Sequence, residues 1–262
     1  MVDSLINALL VLAGLYVYLS LYRQVAVRQN GAPELGEREL GVPEAIAAIV
    51  LISWFVLNIL AAAKVEHATF HTRDLLLTGA FSLAVITSLT ILLELRGFRV
   101  LSLGGFSRLS FGRVVSTAAV LLFAAYPLLF AADALSRWLI GEGSSRQQIV
   151  EMFTGSETLQ QRILIIVLAV TIAPLAEEFI FRFFLYGVFK RYLGRGPGLF
   201  LNSILFAAVH VHLPSLGPLF ILGGCFTLAY EWSGSILVSM TMHALFNFIS
   251  LSALAFPNLV PQ

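Results

Sequence analysis

Cysteine is nearly absent from this chain. Cys225 is the only one in 262 residues, which excludes an internal disulfide and any CxxC zinc or redox motif. A single thiol in an apolar stretch reads as packing. Charge is scarce too. Asp, Glu, Lys and Arg make up 12% of the residues, against about 25% in soluble domains. The 16 basic and 15 acidic residues leave a formal net charge of +1, which gives no footprint for nucleic acid. There is no Asn-x-Ser/Thr sequon, lipidation signal, internal repeat or low-complexity tract. Met1 to Ile6 holds Asp3 and no Lys or Arg, so no cleaved signal is expected there. HExxH is missing as well, because Glu66 precedes His67. His67 and His71, four apart in the polar segment Lys64 to Asp74, therefore read as part of a solvated connection rather than a metal pair.

What is present is apolar: 58% of the residues are hydrophobic. A membrane-crossing helix needs about 20 such residues in a row. Leu5–Tyr22, Val42–Ala63, Leu75–Leu95, Val114–Leu135, Ile163–Phe189, Gly198–Leu213, Leu216–Trp232 and Gly234–Ala255 qualify or nearly do. The pattern predicts an all-α, polytopic membrane helix bundle of about eight transmembrane helices. It predicts a single membrane domain over residues 1–262 and an integral multi-pass protein, expected in the plasma membrane. Pro214 is expected to stop the sixth helix. Loops one, three and five hold ten Lys and Arg, and the alternate loops hold five, which predicts both termini outside. Arg96 to Arg113 alternates basic and apolar residues and is expected to lie along the membrane surface. Gly141 to Thr158 is polar and is expected to be the flexible connection.

Glu177, Glu178 and Arg182 sit inside the fifth apolar run. An ionisable group at that depth costs roughly 2.5–3.5 kcal/mol on insertion scales, so it needs a partner or a task. On a helix Glu178 and Arg182 share a face, with the acid four residues before the base, the favourable order for an ion pair. Glu177 points about 100° away and is left unpaired. An unpaired carboxyl group in a low-dielectric setting holds a proton more readily than in water, as a general base near neutral pH must. Pro174, three residues earlier, cannot donate to the carbonyl of Val170 and is expected to kink the helix.

Two further runs each carry a histidine. Phe206 and His210, and likewise His243 and Asn247, are four apart and share a helix face, and polar pairs of this kind turn towards the bundle interior. His212 points away from His210 and is expected at the interface. Counted from one membrane face, Glu177, His210 and His243 lie about 18, 18 and 14 Å deep at ~1.5 Å per residue. Three separate runs thus bring ionisable groups to one level near the midplane, which predicts a shared site.

Glu-Glu-x-x-x-Arg, then Phe-x-x-x-His, then His-x-x-x-Asn, each on its own membrane helix, resembles the CPBP family of intramembrane proteases, the CAAX-processing and bacteriocin-processing (Abi) group related to the Rce1-type endopeptidase. The resemblance centres on residues 163–250, and the catalytic core is expected over residues 163–255. The small-residue turn at Ser233-Gly234-Ser235 fits the family. Phe183 departs from it, since many members carry glycine there, at a position outside the motif residues. The resemblance implies an intramembrane endopeptidase in which Glu177 and His210 activate water and His243 and Asn247 stabilise the oxyanion. Glu178 and Arg182 would support the site. It also implies a membrane or prenylated protein or peptide as substrate.

Chemistry allows two versions of this site. Glu177, His210 and His243 are a possible zinc ligand set with an open fourth position. Alternatively, a carboxylate and a histidine activate water directly, with Asn247 as oxyanion donor, and this metal-free version is preferred. Two rivals belong to other classes. One is a proton-coupled transporter using Glu177, His210 and His243 as a relay, although the chain lacks two similar halves. The other is a non-catalytic membrane scaffold or immunity protein of the same family, although every motif residue is intact.

Overall fold

A computed structural model of the chain describes residues 2–28, 40–62, 72–141, 153–156 and 158–256. His67, His71 and most of the Gly141 to Thr158 connection lie outside them. Every regular element among the described residues is helical, as a bilayer requires of a backbone that must satisfy its own hydrogen bonds. Helix α1 is Val2–Arg28, α2 Val42–Ala62, α3 Thr72–Leu95, α4 Val100–Leu103 and α5 Phe111–Ile140. One long interrupted helix follows: α6 Leu159–Val167, α7 Ala173–Glu178 and α8 Tyr186–Leu193, joined by two π-helical segments. Then come α9 Arg195–Ala208, α10 Leu216–Ser233 and α11 Ile236–Ala255.

Several helices outrun the apolar stretches that predicted them, because hydropathy registers the lipid-facing portion and not the polar turns at each end. Among the described residues seven helical stretches are long and apolar enough to cross a membrane. The eighth, α9, has 14 residues and spans about 21 Å, short of a ~30 Å hydrocarbon core. One face packs against α8 and α10, while Phe200, Leu201 and Ile204 on the other remain exposed. Leu9, Tyr16, Val50, Leu57 and Phe123 are among many large apolar side chains left exposed, forming the surface offered to lipid.

The helices alternate in direction, so the ends of α1, α3, α8 and α10 share a face with the starts of α2, α5, α9 and α11. Three contacts tie that face together. Arg96 pairs with Glu44 at 3.0 Å, Trp232 donates to Gln24 at 3.0 Å, and the Ile236 N–H donates to Gly104 O at 2.9 Å. The described ends of the predicted positive loops therefore lie together.

The Arg96 to Arg113 segment is a short helix and a series of turns that is pinned to the bundle. Gly105 and Gly234 meet there with φ of +63° and +64°, and a Cβ on Gly105 would lie 1.9 Å from Gly234 O. Only glycine combines that conformation with that approach. Gly105→Ala is expected to destabilise the protein by about 1–3 kcal/mol. Gly112→Ala serves as the control, because nothing lies within 4 Å of its would-be Cβ. Thermal unfolding in detergent compares the two, and equal melting points would contradict the account.

Candidate active site

The long helix opens on a capping box. The Thr158 side chain accepts from the Gln161 N–H at 3.2 Å, and the Gln161 side chain accepts from the Thr158 N–H at 3.3 Å. At Leu168–Ile172 the helix widens into a π segment. The Ala173 N–H reaches back five residues to Leu168 O. The next donor in that register would serve Ala169 O, but position 174 is proline and has no N–H. Asn247 from α11 fills the gap, its Nδ2 donating to Ala169 O at 2.8 Å. The kink expected at Pro174 is thus realised as a widened turn, with its freed carbonyl satisfied from another helix. π segments of this kind recur at functional sites.

Glu177 and Glu178 close α7, and Arg182 lies in a second π segment, Phe179–Leu185. Glu178 and Arg182 are fully buried and pair at 3.0 Å, as the spacing predicts. Two further partners hold the arginine. Its guanidinium carbon stands 4.1 Å from the Phe206 ring centre, a cation–π contact, and one N–H reaches Gly223 O at 3.4 Å. Glu178 also meets His243, whose Nδ1 is 2.9 Å from Glu178 Oε1. Spacing along one helix carries no sign of this contact, because its two ends lie 65 residues apart.

His210 needs a correction. The sequence places it on the sixth helix, but α9 ends at Ala208, well before Pro214. His210 belongs to the turn that follows, and Val211 adopts φ +48°, a costly conformation for a β-branched residue. The ring still packs on Phe206, with centroids 4.9 Å apart and the planes edge to face. Its Nδ1 lies 2.7 Å from Phe206 O, taking the place of the backbone N–H that a longer helix would supply. His212 stands outside the site, with Nδ1 2.7 Å from Ser215 Oγ.

These bonds set the proton positions. A carbonyl oxygen can only accept, so His210 Nδ1 carries hydrogen. Glu178 is an anion paired with Arg182, so His243 Nδ1 carries hydrogen as well. Each neutral imidazole then turns an Nε2 lone pair inward. Both Nε2 atoms lie 3.9 Å from Glu177 Oε2. That oxygen is buried and has no hydrogen-bond partner, although the Glu177 side chain as a whole is 29% exposed. Two acceptors 3.9 Å apart can share one water at about 2.8 Å from each. The group faces a cavity of about 380 Å³ that is also lined by Asn247, Phe246 and Leu222. The structure therefore brings Glu177, His210, His243 and Asn247 to one cavity and places Glu178 and Arg182 behind it.

The residue types suit zinc, and both histidines make the outer hydrogen bond usual for metal ligands. The spacing does not suit it. The 3.9 Å separations exceed the roughly 3.4 Å that tetrahedral bonds of ~2.0–2.1 Å impose. Among the described residues no three His, Cys, Asp or Glu side chains stand together as a metal site.

Residues 159–249 match a family model described as type II CAAX prenyl endopeptidase Rce1-like. The match begins with the long helix and ends just past Asn247, so it holds every residue of the cavity motif. No curated protein and no solved structure matches the chain. Over residues 159–249 the chain is thus similar to the Rce1-like family of type II CAAX prenyl endopeptidases.

Proposed function

We propose that the chain is an intramembrane endopeptidase in which Glu177 is the general base. One observation carries this reading: the buried, unpartnered Oε2 of Glu177 faces two imidazole Nε2 atoms at equal distance. Oxygen and nitrogen lone pairs converge there, as they must to accept protons from a water. Glu177 takes a proton as the water oxygen bonds to the peptide carbonyl carbon. The C–N bond then breaks and that proton passes to the leaving amine, giving one carboxylic acid and one amine.

The two histidines share the remaining work. A second proton held on the cluster makes one Nε2 a donor towards the oxyanion. His243 suits that role best, because the Glu178 carboxylate 2.9 Å from its Nδ1 fixes the ring with Nε2 towards the cavity. Asn247 spends one amide hydrogen on Ala169 O and keeps the other for the oxyanion. The substrate is a membrane-associated protein or peptide, with a prenylated C-terminus the first form to try.

The test uses the purified full chain in bilayer discs with a panel of prenylated and unprenylated C-terminal peptides in ¹⁸O-water. Cleavage with a single ¹⁸O in the new carboxylate is expected. Proton flux in proteoliposomes without cleavage of any peptide would favour the transporter reading instead.

A further inference from the structure

A second cavity, of about 460 Å³, lies at the other end of the long helix, on the basic face. Its walls are the α4–α5 connection, the start of α8 and the end of α10. They bring together Ser102, Ser107, Arg108, Tyr186, Lys190 and Glu231. Glu231 is the one carboxylate in the lining, and both of its oxygens are engaged. Tyr186 donates to Oε2 at 2.5 Å and Lys190 to Oε1.

The valences left over are donors. Lys190 keeps hydrogens beyond the one given to Glu231. The Arg108 side chain makes no hydrogen bond or ion pair among the described residues, and the Ser102 and Ser107 hydroxyls make none. Arg108, Lys190 and Glu231 together leave the lining one unit positive.

Arg108 is also held in place. The Gly105–Gly234 contact fixes the loop, and the Arg108 N–H donates to Gly105 O at 3.1 Å. Its guanidinium lies against Gly234, 2.7 Å from where a Cβ would stand. A planar, five-donor cation positioned at a helix turn suits a tetrahedral oxyanion. The cavity sits where membrane helices end, and the loops of this face carry the excess of Lys and Arg. The positive-inside rule assigns such a face to the cytoplasmic leaflet, where anionic headgroups concentrate.

We propose that this cleft is a phosphate-binding site, filled by the phosphodiester of an anionic phospholipid headgroup. The chemistry is shared with free phosphate, so the test separates the two sources. Native mass spectrometry of the full chain in detergent would compare dioleoylphosphatidylglycerol, dioleoylphosphatidylcholine and inorganic phosphate. Retention of phosphatidylglycerol over phosphatidylcholine is expected, falling about tenfold in Arg108→Gln, one charge-assisted contact's worth. Arg113→Gln, on the same face but outside the cleft, is expected to retain the lipid as the wild type does. If Arg108→Gln misfolds, Ser102→Ala/Ser107→Ala is expected to weaken retention in the same direction.

Equal retention of both lipids would overturn the proposal. So would equal loss in Arg108→Gln and Arg113→Gln, which would indicate general surface charge. Arg108-dependent binding of inorganic phosphate without lipid retention would overturn the lipid assignment.

Discussion

Glu177→Gln is expected to lower peptide hydrolysis by roughly 10²–10⁴-fold, the contribution of a positioned general base, and to leave the melting temperature nearly unchanged. Gln keeps the shape of the side chain and cannot take a proton. Little stability is at risk, because Glu177 Oε2 makes no hydrogen bond and the side chain is partly open to the cavity. His210→Ala should give a comparable loss of rate. Its fold cost is larger, because Phe206 O would lose the Nδ1 bond at 2.7 Å. Steady-state cleavage and thermal unfolding, measured on the same preparations, separate the two effects. A Glu177→Gln protein that retained a tenth or more of the wild-type rate would remove Glu177 from the mechanism. Stoichiometric zinc in the wild type, lost in that variant, would replace the metal-free route with a metal-assisted one.

Arg182→Met is expected to cost about 3–5 kcal/mol, the usual penalty for stranding one member of a buried ion pair. Glu178 would keep only His243 as a partner, with no exposure to water on either side chain of the original pair. The arginine also fills the space above Phe206, which methionine covers in part. Glu178→Gln/Arg182→Met removes both charges together and should recover most of the loss, since a buried ion pair contributes little beyond the cost of breaking it. Chemical or thermal unfolding of the two variants provides the comparison. If the double variant proved less stable than Arg182→Met, the pair would be stabilising in its own right. This contrasts with Glu177, where stability holds and rate falls, and the contrast distinguishes a working group from a supporting one on adjacent residues.

Much of this was legible in the residues. Hydropathy located the helices, since lipid-facing stretches must be apolar whatever they pack against. Helical spacing separated Glu177 from Glu178 and paired Glu178 with Arg182, because a four-residue offset is local geometry. Depth counting brought Glu177, His210 and His243 to one level. Contacts between helices were not legible. Nothing in the spacing of His243 points to Glu178, and nothing in Asn247 points to Ala169. The early end of α9 was also missed. Pro214 is the visible stop signal, but the chain leaves the helix at Ala208 through an unfavourable Val211 conformation, for which the sequence holds no marker. The π segments escape for a similar reason, since their composition is that of any apolar helix.

The first π segment has a consequence for insertions and deletions. A π turn accommodates one residue more than an α turn, so removing a single residue from 168–172 would restore ordinary winding. Because the wide turn already absorbs that residue, α6 would keep most of its facing relative to Glu177. The side of α6 now buried through Ile165 would stay turned to the bundle. Removing residue 170, 171 or 172 would place Pro174 four positions after Ala169, so Ala169 O would still lack a backbone donor and stay open to Asn247. The surplus residue thus widens the turn without resetting which side of α6 faces the bundle, so a one-residue loss at 170–172 should leave the helix facing and the Asn247 bond in place.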